Sequence, residues 1–326
     1  ILYYQLNQSY QKECAFKNIP ASECSLYRRI IEDFKSVKII WIAVNCIIFM
    51  LSNLLRAVRW NQILAPLGYY PRLTNSLGTI MIAYLANLAL PRIGELVRAG
   101  SLSKYENIPA SKVFGTIVLD RILDVVSLLG VIAIALLLSM NTFTDYFAAN
   151  FQMPAGSLLV ILLAFALAGT GFLWLFNKAI HSEKISNPFI LRIKQMWLGF
   201  RDGFISIAKV RNKALLIINT IGIWLCYYLM TYLCFFAFEP TAGLSPVAGL
   251  VVFVFGTLGI VLPSPGGIGS YQWLVSQALI IYGIDKFDAF SFSNIMFFAV
   301  QIFCNILFGF FFLLFLPQFN NKTSVN

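Results

Sequence analysis

Histidine occurs once in the 326 residues, at His181, and the six cysteines have no metal-ligand spacing. A histidine-based metal site or a serine–histidine–aspartate triad is therefore excluded. No GxxxxGK[ST] phosphate loop is present, so the chain alone is not an ATP-driven pump, and no cofactor is called for. Charge is also scarce: Asp, Glu, Lys and Arg make up 12% of residues, against about 25% in water-soluble domains. The positive excess of +10 does not signal nucleic acid, because most of it sits in short segments beside apolar runs. No signal-peptide pattern opens the chain. Its first residues, Ile1-Leu2-Tyr3-Tyr4, read as the tail of an apolar segment.

What remains is oil. Hydrophobic residues make up 59% of the chain, and the long apolar stretches are of helix length, without the alternation of a barrel strand. The fold class is thus an all-α polytopic helical membrane protein with about five full spans, at 38–60, 111–140, 155–177, 214–238 and 291–316. Two further apolar runs break early. The run Ser76–Leu90 carries no charge and is shorter than the roughly 20 residues of a span; it ends at Pro91 and passes into Arg92-Ile93-Gly94-Glu95-Leu96-Val97-Arg98. The run Val247–Leu262 ends at Pro263-Ser264-Pro265-Gly266-Gly267-Ile268-Gly269, which cannot continue a helix. Both read as re-entrant hairpins, and their matching positions suggest an inverted repeat, as in transporters.

Ionisable groups at membrane depth mark function unless they merely pair. Arg92, Glu95 and Arg98 recur every three residues and predict one charged helix face. Asp120, Arg121 and Asp124 follow in the next span, with the two aspartates one turn apart and predicted to face inward. They could pair with Arg92, Arg98 or Arg121, or carry a proton. Arg56 and Arg59 close the first span before Trp60, either snorkelling to headgroups or contacting lipid phosphate. The glycines at 266, 267 and 269, after Pro263 and Pro265, would let backbone amides and the helix restarting near Ser270 approach an anion.

Residues 178–213 hold eight cations against Glu183 and Asp202, which places them in the cytoplasm. Alternation then makes 141–154 an external loop and 1–37 an external segment, the remnant of an N-terminal helix followed by an amphipathic helix over Leu26–Phe34. Six cations against four carboxylates there run against that placement. Cys14 and Cys24 share the segment and can pair if it faces an oxidising compartment. Residues 317–326 form a polar tail.

The motifs Leu54-Leu55-Arg56-Ala57-Val58-Arg59-Trp60, Tyr84-Leu85-Ala86-Asn87-Leu88 with Pro91–Arg98, Asp120-Arg121-Ile122-Leu123-Asp124 and Pro263–Gly269 span roughly 38–316. In order and spacing this stretch resembles the transmembrane domain of the lysylphosphatidylglycerol synthase/flippase family. Many members carry a glutamate after the Pro-Gly-Gly turn, where this chain has Gln272. The resemblance implies a flippase-like transporter of the bacterial inner membrane, moving a phospholipid or lipid-linked headgroup between leaflets. Its partners would be membrane lipids and no nucleic acid, with a second copy or a separate lipid-synthesis enzyme as further candidates. The soluble aminoacyl-transferase domain of bifunctional members is not in this sequence. Two alternatives stay open: a membrane-embedded transferase acting on a lipid-linked donor, and a non-catalytic subunit of a lipid-synthesis complex.

Overall fold

The computed structural model describes residues 2–16, 24–90, 93–151, 210–262 and 264–323. Two short helices, α1 (Leu2–Phe16) and α2 (Leu26–Ser36), precede the first span, α3 (Ile39–Leu64). The first hairpin is α4 (Leu73–Ala89) with α5 (Gly94–Glu106), followed by α6 (Ala110–Phe151). After 210 come α7 (Lys213–Cys234), the second hairpin α8 (Pro246–Val261) with α9 (Ser270–Ile281), and α10 (Lys286–Met296). A π-helical stretch, Phe297–Cys304, joins α10 to α11 (Asn305–Thr323). The described residues contain no strand, and four of their helices are long and apolar enough to cross a membrane: α3, α6, α7 and α10–α11. The span expected at 155–177 lies outside the described residues, as do His181 and most of the basic segment. One expectation is overturned. The loop drawn at 141–154 is helical to Phe151, because 141–151 has no proline or glycine to stop α6.

Both hairpins form as the two broken runs predicted. At 17 and 16 residues, α4 and α8 reach about 25 Å, short of the roughly 30 Å hydrocarbon core. Each turn is closed by a side-chain amide. The Gly94 N–H donates to Asn87 Oδ1 at 2.8 Å, and the Gly269 N–H donates to Gln272 Oε1 at 2.7 Å. In the second turn Gly266, Gly267 and Gly269 hold φ of 61°, 82° and 89°, a left-handed backbone that only glycine adopts without strain. Close approach of backbones needs small residues too. A Cβ on Gly259 would lie 2.7 Å from Tyr271 Cα, and one on Gly309 would lie 2.6 Å from Leu85 Cβ.

The packing has the symmetry of a repeat. The first spans of the two halves, α3 and α7, lie side by side; α4 packs on the last span of the other half, α11, and α8 packs on α6. The hairpins enter from opposite ends. At one end the Lys38 N–H donates to Ala237 O at 3.0 Å, Lys286 Nζ to Ser9 Oγ at 2.8 Å, and Arg29 pairs with Asp288 at 2.6 Å. Cys14 and Cys24 are bonded there, tying α1 to α2, and Leu26 is buried against Phe287 and Phe290. At the other end Asn75 bonds Asn320 at 2.9 Å, the Arg72 N–H donates to Glu106 at 2.9 Å, and Asn219 bonds Gln62 at 3.2 Å.

Candidate functional site

The charged motifs converge where α3, α5 and α6 meet. Arg56 and Arg59 stand three apart on α3, Asp120 and Asp124 four apart on α6, so two facing helices offer two rungs of opposite charge. Arg59 donates through Nε and Nη2 to Asp120 Oδ1 at 2.9 and 2.6 Å, and through Nη2 to Asp124 Oδ1 at 2.6 Å. Arg56 reaches Asp120 Oδ2 at 3.2 Å, Asp124 Oδ2 at 2.9 Å, and the Tyr227 hydroxyl of α7 at 3.0 Å. Arg98, from α5, donates to Asp120 Oδ2 at 3.3 Å while its guanidinium lies 3.7 Å from the centre of the Trp60 ring. Trp60 is held in turn by Thr116 at 3.0 Å. Arg59 and Asp120 are 0% exposed, and Arg56 and Arg98 3% each. Such a cluster is sustainable only because each charge is paired.

The other rim of the cluster is open. Arg121 Nε donates to Glu95 Oε1 at 2.8 Å, and its Nη1 sits 3.7 Å from Asp124; the Arg121 and Glu95 side chains are 43% and 39% exposed. Arg56, Arg121 and Asp124 form one wall of a cavity of about 400 Å³. Its remaining walls are mostly apolar, from Phe49, Leu128, Trp224, Val252, Phe253 and Ile260, with Tyr84 and Val261 brought in by the two hairpins. Asn53, Thr231, Gln301 and Asn305 add polar groups.

The sequence reading identified seven members of this cluster: Arg56, Arg59, Glu95, Arg98, Asp120, Arg121 and Asp124. Its partners for the aspartates need correction, since Arg56 and Arg59 carry most of the pairing. The reason is geometric: α3 faces α6 along the charged stripe, so both arginines turn inward instead of snorkelling. Arg92 and Pro263 lie outside the described residues, and α5 begins only at Gly94. The residues Gly266, Gly267 and Gly269 are not brought to the cluster and do not line its cavity. Two of that turn's amides are already engaged, Gly267 with Ser264 O at 3.2 Å and Gly269 with Gln272. Sequence reasoning missed Asn53, Tyr84, Tyr227, Gln301 and Asn305. The available signal was a polar side chain inside an apolar run.

Among known proteins the chain is 24% identical over 266 residues to the UPF0104 membrane protein PH1989 of Pyrococcus horikoshii, covering 76% of this chain and 78% of that one. It is 31% identical over 96 residues to the glycosyltransferase AglD of Haloferax volcanii, which is 29% of this chain but only 15% of that protein. No solved structure gives a significant match. The family described as lysylphosphatidylglycerol synthase TM region matches residues 27–316, nearly the whole helical body, and to that family the chain belongs.

Proposed function

We propose that the chain is a flippase-like transporter that moves a phospholipid or lipid-linked headgroup between leaflets. The observation that carries this reading is the cavity of about 400 Å³, which has one charged wall and otherwise apolar walls and receives residues from both hairpins. Its size is within the range of about 300–1,000 Å³ of small-molecule sites. Arg121, exposed and loosely paired, contacts the headgroup, while Arg56 and Asp124 shape the wall. The end with Arg72, Lys104, Lys112, Arg211 and Lys213 against Glu106 faces the cytoplasm of a bacterial inner membrane. At the opposite end Glu239, Asp285 and Asp288 join Glu13, Glu32 and Asp33 and, among the described residues, balance Lys12, Arg28, Arg29, Lys35, Lys38 and Lys286, so the N-terminal segment fits outside. The Cys14–Cys24 bond supports the same orientation.

A second reading draws on the match to part of a glycosyltransferase: a membrane unit that serves, or is fused to, an enzyme using a lipid-linked donor. Reconstitution in liposomes separates the two. Leaflet exchange of the co-purifying lipid above protein-free vesicles, falling at least about tenfold in Arg121→Gln, supports transport. A bound lipid that never exchanges, with or without a proton gradient, supports the enzyme-partner reading instead.

A further inference from the structure

We infer that Cys46 and Cys304 form a redox modification site, a dithiol within the membrane that a quinone closes to a disulfide, tying the first span to the last. The inference stands on the placement of two thiols and does not depend on the transport reading.

The two cysteines are 258 residues apart in the chain, yet their sulfurs lie 3.5 Å apart, close enough for a thiol hydrogen bond. A disulfide needs about 2.0 Å, so the sulfurs have to approach by about 1.5 Å. Cys46 belongs to α3, and Cys304 ends the π-helical stretch Phe297–Cys304, a kind of turn found mostly at functional positions. Cys226 and Cys234, the other free cysteines, are buried too, but neither makes a thiol–thiol hydrogen bond among the described residues. The juxtaposition is therefore particular to one pair.

The pair is also asymmetric, as a redox couple requires. Cys46 is half-buried beside Ile47, which is 69% exposed, whereas Cys304 is 0% exposed and packs in the core with Phe49 and Phe312. Cys46 is thus the thiol that an oxidant reaches, and Cys304 is the one that resolves the intermediate.

The surroundings select the oxidant. Cys46 lies seven residues past Ile39, about 10 Å along α3, among apolar Ile48 and Met50. Polar oxidants such as peroxide or glutathione disulfide enter such a setting at a cost, whereas a membrane quinone is apolar. Cys46 Sγ adds to the quinone ring as its proton passes to one quinone oxygen. Cys304 Sγ then attacks Cys46 Sγ, the sulfur–carbon bond breaks with its electron pair going to the ring, and the second thiol proton reaches the other oxygen. Two S–H bonds are lost, one S–S bond forms, and the quinone leaves as its hydroquinone. The closed bond would hold Phe49 and Asn53, one and two turns along α3, against Gln301 and Asn305, so these cavity walls could not part.

The test uses the full chain purified in detergent without oxygen. It is treated with a short-chain benzoquinone whose ring is fully substituted, then denatured, alkylated and weighed. Quinone should leave the chain with two fewer alkyl groups, and its digest should hold a peptide pair bonded through Cys46 and Cys304. Equal doses of hydrogen peroxide or glutathione disulfide should leave the count unchanged over the same time. Cys46→Ser should take up the same number of alkyl groups with and without quinone. An unchanged count in the unaltered protein, a bond made to Cys226 or Cys234 instead, or closure by the polar oxidants as fast as by quinone overturns the inference, and none of these outcomes needs a variant to fold.

Discussion

Two arginines of one charged cluster live under different physics. Arg59 is fully buried and shares its guanidinium between two aspartates; Arg121 is 43% exposed and holds Glu95 with one bond. Their distance along the structure is short, yet burial separates their roles. An uncompensated charge in the dry core has no water to turn to, so Arg59, Arg98 and Asp120 stabilise one another or not at all. At the cavity rim a broken pair is rehydrated or replaced by a ligand, so Arg121 is free to change partners. The core of the motif is scaffold, and its rim is where we place recognition.

That division is easiest to break at Asp120. In Asp120→Ala, Arg59 keeps only Asp124 and Arg98 loses its only carboxylate partner among the described residues. The expected cost is about 3–5 kcal/mol, enough to prevent recovery of folded protein from detergent extracts. A monodisperse Asp120→Ala protein with unchanged melting temperature would show that the core pairs contribute nothing. A milder change sharpens the same contrast. Arg59→Lys keeps the charge but loses the planar fork that spans both aspartates, and should destabilise by about 1.5–3 kcal/mol. Arg121→Lys should leave the melting temperature unchanged, since an exposed single bond is easily remade. Equal shifts in the two variants would erase the distinction between core and rim.

Much of this was readable before any coordinates. Charge-free runs ending at Leu90-Pro91 and Leu262-Pro263 announced both hairpins, and the helix restart near Ser270 follows from glycines that only a turn requires. The spacing of Asp120 and Asp124 announced an inward face. Their partners were not readable, because i,i+4 periodicity fixes a face of one helix but not which helix it meets. Arg56 and Arg59, near the end of a hydrophobic span, looked equally ready to snorkel. The packing of α3 against α6 and α7 decided otherwise. The charge balance of the N-terminal segment cannot be read from the segment alone for a similar reason, since Glu239, Asp285, Lys286 and Asp288 join it only in three dimensions. The cavity's amides, Asn53 and Asn305, lay hidden because a lone asparagine in an apolar run looks the same whether it back-bonds its helix or lines a cavity. Here each does both.

The smallest expected effect concerns Glu95, and its sign is the informative part. On the proposed transport reading Glu95 would compete with an anionic headgroup for Arg121, since it holds Arg121 Nε at 2.8 Å. Both side chains are more than a third exposed, so solvent and salt already weaken the pair and its removal should shift stability by well under about 1 kcal/mol. Glu95→Gln lowers the charge opposing the ligand without emptying the space, so Arg121 turns more readily to a phosphate. Affinity for an anionic lipid should rise by about two- to fivefold in native mass spectrometry or equilibrium binding. The gain should shrink as salt is raised from about 0.05 M to about 0.5 M, because a rim charge is screened where a buried one is not. A fall in affinity would mean that Glu95 positions Arg121 instead of competing for it, and the rim would then be as rigidly built as the core.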